Sequence, residues 1–138
     1  MIFDEITTFY IASIMTAWII SCIIKMILYS YSVKKIDFLS GFKNGGMPSS
    51  HTALISSTTL AIFLTEGLSP ILFLAIVVST LIIRDAVTVR REVGIIGDEI
   101  NKMLDKKIKV VHGHTMPQVI IGGIIGITST LIFYVTIL

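Results

Sequence analysis

ITTFYIASIMTAWIISCIIKMILY, residues 6–29, is an apolar run whose one charged side chain is Lys25. As a helix it is long enough to cross the hydrocarbon layer of a bilayer, for which about 20 apolar residues suffice. Asp4 and Glu5 precede it. A cleaved signal peptide needs a basic leader and a shorter apolar core, so this helix is expected to stay in the mature protein. The whole chain has the same character: 54% of its 138 residues are hydrophobic, 14% are charged, and the mean hydropathy is +0.89. These values describe an integral membrane protein rather than a soluble domain. The length suits a single domain, 1–138, built as an all-α membrane bundle. Few helices leave much packing surface to lipid or to another copy, so a homo-oligomer is expected.

Three more spans follow from the same rule. The second runs from Pro48 to about Thr65, and hydroxyls crowd its first turns: Ser49, Ser50, Thr52, Ser56, Ser57, Thr58 and Thr59. Such a helix suits the bundle interior better than lipid. Ser69-Pro70 opens the third, which reaches Ile83 and continues as helix into the charged stretch from Arg84 to Arg91. The fourth begins near Pro117 and runs to the C-terminus. Between the third and fourth, Val93, Ile96, Ile100, Met103, Leu104 and Ile108 recur at spacings of three to five with charged residues between them. That periodicity predicts a cytoplasmic amphipathic helix, expected to pack on the bundle rather than to lie as a lid in the headgroup plane. Cys22 reads as a small packing residue, and Gly122-Gly123-Ile-Ile-Gly126 as a site of close helix approach.

Orientation follows from the basic residues, because short loops rich in Lys and Arg stay in the cytoplasm. Ten of the eleven fall in two places. Lys34, Lys35 and Lys43 separate the first two spans. Arg84, Arg90, Arg91, Lys102, Lys106, Lys107 and Lys109 lie between the end of the third and the start of the fourth. Both places belong inside, with the two termini outside. Lys25, the eleventh, lies about one turn from the cytoplasmic end of its span.

The second and fourth spans therefore start at one membrane face, and each starts with a histidine motif. The first is Gly45-Gly-Met-Pro-Ser-Ser-His51-Thr52; the second is His112-Gly-His114-Thr-Met-Pro117. A helix start presents free backbone N–H groups and the positive end of the dipole, which suits an anion such as phosphate. Arginine adds a fork for two oxygens and lysine a movable point charge. Two histidines can divide the roles of nucleophile and acid.

Together with Lys25 and the run from Asp85 through Arg90-Arg91 to Gly94, these motifs resemble the divergent, membrane-embedded branch of the type 2 phosphatidic acid phosphatase superfamily, related to acid phosphatases and vanadium-dependent haloperoxidases. The resemblance covers nearly the whole chain. It implies metal-independent hydrolysis of a phosphomonoester or diphosphate of a lipid through a phosphohistidine, without a cofactor. It makes His114 the nucleophile and His51 the acid, with Lys25, Ser49, Ser50 and Arg90 or Arg91 as phosphate ligands. Gln118 stands four residues after His114, where the superfamily has an acidic residue, and Asp85 is the nearest substitute for that catalytic carboxylate. Position 108 is Ile where an arginine is usual, so the phosphate-binding arginine must come from the end of the third span.

The expected partners are a phosphorylated lipid and the bilayer. Nucleic acid is excluded: the basic residues alternate with acids, the net charge is +2, and topology already accounts for their placement. His112 reads as a loop residue. The competing function is a non-catalytic protein that binds or translocates a phosphorylated lipid or phosphate in the same pocket.

Overall fold

The computed structural model describes residues 4–42, 45–105 and 107–138, so Lys43 and Lys106 of the basic stretches lie outside the described residues. Five α-helices follow one another: α1 (Glu5–Val33), α2 (Ser50–Glu66), α3 (Pro70–Val87), α4 (Val89–Met103) and α5 (Met116–Ile137), with a short 3-10 turn at Phe38–Phe42. Local chemistry sets their starts. Asp4, Ser49 and Ser69 each accept a backbone N–H three residues on, and Pro70 occupies the first turn of α3, where its missing N–H costs nothing.

α2 is the centre of the bundle, with α1, α3 and α5 around it. It runs parallel to α5: Ser57 bonds to Thr130 (2.8 Å), and Gly122 and Gly126 face the backbone of Ser49 and Ala53. It runs antiparallel to α1, with Lys25 near Ser50 at one end and the Tyr10 hydroxyl bonded to Thr65 (2.6 Å) at the other. The glycines supply the close approach expected of them, since a side chain at either would strike backbone. The buried set is small and partly polar, including Ala17, Ala53, Ala61, Ser13, Ser21, Ser57 and Thr130, while the large apolar side chains of α1, α3 and α5 mostly point outward. Helices packed this closely through small residues, with Leu, Ile and Val turned outward, are what a lipid environment selects. Cys22 is buried against the 3-10 turn, as a packing residue would be.

Among the described residues three helices are long and apolar enough to cross a membrane: α1, the nearly continuous α3–α4 run Pro70–Met103, and α5. The sequence reading expected four. α2, at 17 residues about 25 Å long and carrying the crowded hydroxyls, stands at the lower limit of a spanning length and lies inside the bundle.

The amphipathic helix differs in extent and in partner. It begins at Val89, four residues before the expected apolar repeat, and ends at Met103. The last apolar positions of that repeat, Leu104 and Ile108, belong to the chain that turns back. The Asn101 side chain brackets Ile108, donating to its carbonyl (2.9 Å) and accepting its N–H (2.8 Å). That return segment packs along α4: Gly94 lies against His112 and Gly97 against Val110. α4 therefore rests mainly on its own return segment and meets the bundle where it joins α3, and Val89, Val93, Ile96, Ile100 and Met103 form an exposed apolar stripe.

Candidate active site

Parallel packing of α2 and α5 puts both helix starts at one end of the bundle. The Ser49 N–H donates to the Gln118 carbonyl at 3.0 Å, joining them directly. His51, in the first turn of α2, and His114, just before α5, line one cavity of about 200 Å³ with Arg90, His112, Val89 and Val93 among its walls. The end of α3 closes it. His114 N–H donates to the Ala86 carbonyl (2.9 Å), and Gly113 passes so close to Ala86 and Arg91 that a Cβ would not fit.

The His114 ring is fixed. Its Nδ1 lies 3.1 Å from the Gly46 carbonyl and 3.1 Å from Gln118 Oε1, both of them acceptors, so Nδ1 carries the hydrogen. The Gln118 amide is oriented in turn, because Oε1 also accepts the Thr115 N–H at 3.1 Å. In the neutral ring Nε2 is then left with its lone pair. Gly45 and Gly46 bring the carbonyl into place through left-handed backbone, φ 80° and 76°, which glycine adopts without strain.

The other expected residues divide. Lys25 is buried, 5% exposed, with Nζ 3.4 Å from Ser50 Oγ. Its alkyl stem lies against Gly46, beside the loop that holds His114. Ser49 is occupied as the cap of α2, accepting from Thr52 N–H and from Thr52 Oγ1 (2.9 Å). Of the two arginines, Arg90 lines the cavity, and Arg91 contributes its backbone to the wall beside Gly113. Asp85 does not stand in for the missing carboxylate. It pairs with Arg90 (Nε to Oδ2, 2.5 Å), while both contacts on His114 Nδ1 come from elsewhere. His112 lies on the loop as expected, yet it lines the cavity, with Nε2 held by Asp98 at 2.7 Å. The sequence reading missed the valine wall and the Gly46 carbonyl; the two consecutive glycines were the available signal for the second. Among the described residues no cluster of three or more His, Cys, Asp or Glu side chains could hold a metal ion.

Residues 6–129 match the sequence pattern of the Divergent PAP2 family. The chain belongs to that family. A relative of the same kind is an uncharacterized membrane protein of Bacillus subtilis strain 168, YuiD, 29% identical over an alignment covering 94% of this chain and 96% of YuiD. No solved structure matches. The relative and the apolar helices agree on a membrane protein, and the family relates it to the PAP2 phosphatases.

Proposed function

We propose that the protein hydrolyses a phosphomonoester or diphosphate of a membrane lipid. The observation that carries this reading is the His114 ring, held by two acceptors on Nδ1 in a cavity shared with His51 and Arg90. The Nε2 lone pair forms a bond to phosphorus, the ester P–O bond breaks, and the leaving oxygen takes its electron pair and a proton from His51. Neutral His51 then accepts a proton from water as the water attacks phosphorus; the N–P bond breaks and phosphate leaves. Arg90 and Lys25 offset charge on the phosphoryl oxygens, the larger part of catalysis in such a transfer. With α2 as a fourth crossing, the basic segments and the cavity face the cytoplasm.

The test is phosphate release from a lipid phosphate by the purified protein in detergent, with His114 replaced. The neutral Gln118 favours one other reading, binding without turnover, because an amide stabilises an imidazolium less than a carboxylate does. Vanadate binding with no phosphate release would select it.

Two expectations follow for the rate. Burial holds the His114 imidazole below the usual histidine range, with the Lys25 charge adding to the effect and the bonds to Gln118 and Gly46 opposing it. The nucleophile acts unprotonated, so on the acid side the rate falls as pH drops through that lowered value. The acid limb of kcat/KM is expected below the ordinary histidine midpoint near pH 6.5. Gln118→Glu places a charge on Nδ1 in the same geometry, favours the protonated ring and should shift that limb upward. At neutral pH the variant should be as fast or faster; a large loss there would show that the ring is not used as described.

A further inference from the structure

α3 packs along α2 and against α4 but makes no comparable contact with α5, and a groove floored by α2 is left between α3 and α5. Ser56, Leu60, Leu72, Ile76, Ile83 and Ile127 are among its walls, and its volume is about 510 Å³. Three of its four hydroxyls are engaged: Thr59 and Ser79 bond to each other at 2.9 Å, and Thr80 donates to the Ile76 carbonyl at 2.8 Å. Apart from Ser56 near its upper end, the surface left to a ligand is apolar. One end starts beneath the phosphate cavity. Ser56 lies about 7.5 Å along α2 from His51, and Ile83 about 4.5 Å along α3 from Ala86, whose carbonyl holds the His114 N–H. From there the groove follows α3 for about 16 Å to Leu72.

Resting on the reading that the histidines hold a lipid phosphate, the geometry points to this groove as the seat of one hydrocarbon chain of that lipid. The head is fixed at the cavity and the chain lies along α2, entering sideways from the bilayer. A helix of a second copy fits less well. The groove's whole non-atom space, about 980 Å³, spread over that length leaves a cross-section of about 60 Å², below the roughly 80 Å² of a helix about 10 Å across with its side chains. Lipid tails offer the chain an equally apolar alternative, so the groove adds little affinity. Its effect is positional: it sets where phosphorus stands relative to His114.

Thr80→Trp and Ile127→Trp obstruct the groove from opposite walls, both at exposed positions, and Val78→Trp, exposed but outside the groove, is the control. The readout is kcat/KM in detergent for hexadecyl phosphate and for phenyl phosphate. Both groove variants should lose about ten- to hundredfold on hexadecyl phosphate, since a displacement near 1 Å costs on that order. They should match the unsubstituted protein on phenyl phosphate, and the control should match it on both. Equal losses on the two substrates, no loss on either, or a changed oligomeric state would overturn the proposal. A second readout needs no turnover: hexadecyl phosphate carrying a mid-chain diazirine should photolabel Leu60 and Ile76 and spare Val78. Groove labelling without any phosphate release would keep the chain site and reject hydrolysis, whereas uniform labelling of the exposed faces would reject the chain site itself.

Discussion

His114→Ala is expected to lower phosphate release from a lipid phosphate by about ten-thousandfold or more, the scale seen when a nucleophile is removed from a unit that acts together. The side chain is 5% exposed, so an inert alanine variant could also reflect a disturbed loop. His114→Asn separates the two causes. Its amide nitrogen can keep the Nδ1 bonds to Gly46 and Gln118 while offering no lone pair to phosphorus. A folded, vanadate-binding and inactive Asn variant assigns the loss to Nε2. Substantial activity in that variant would remove His114 from the nucleophile's role. His51→Ala should behave differently, since an acid matters only as much as the leaving oxygen needs a proton. The loss should be large for an alkyl phosphate and small for a nitrophenyl phosphate, whose leaving group departs as an anion.

The starts of the later helices were legible because their signals are local: Pro48, Ser69 with Pro70, and Pro117 mark helix starts by residue type alone, each within two residues of the start observed. The meeting of His51 and His114 was legible because topology forces two spans starting at one face to share it. What stayed hidden depends on contacts between distant parts of the chain. The apolar repeat running through Ile108 looks helical in isolation, yet two bonds from the Asn101 side chain end the helix at Met103 and turn the chain back. Asp85 is five positions from Arg90 across the break at Thr88, and only the bend between α3 and α4 decides that its carboxylate meets the guanidinium rather than His114. The role of Gln118 was half visible. Its spacing from His114 showed that it could reach the ring; that its oxygen, rather than its NH₂, faces Nδ1 follows from the Thr115 N–H beside it.

The second large effect is expected in the α2–α5 contact that brings the helix starts together. Gly→Ala in the middle of a helix ordinarily gains up to about 1 kcal/mol from propensity. At Gly122 and Gly126 the sign should reverse, because the added Cβ would strike the carbonyls of Ser49 and Ala53. Neither carbonyl can move away cheaply: Ser49 O accepts the Ala53 N–H at the start of α2, and the Ala53 carbonyl lies within the same helix. Overpacking against side chains costs about 1–3 kcal/mol, and against rigid backbone the cost should lie at or above that range. Gly123→Ala is the internal control, since its Cβ would sit 3.6 Å from Ser56 Oγ and 3.9 Å from Thr52 Cγ2, in ordinary contact. Thermal unfolding in detergent should rank Gly123→Ala at or above the unsubstituted protein and the other two well below it. The two damaging variants should also differ in activity at temperatures where both are folded. Gly122 presses on Ser49, whose N–H is bonded to the Gln118 carbonyl and whose side chain caps α2 just before His51. A shift there moves both histidines. Gly126 acts one turn deeper, so its cost should appear in stability first, and equal stability of all three alanine variants would mean that α2 and α5 do not approach as closely as the cavity shared by His51 and His114 requires.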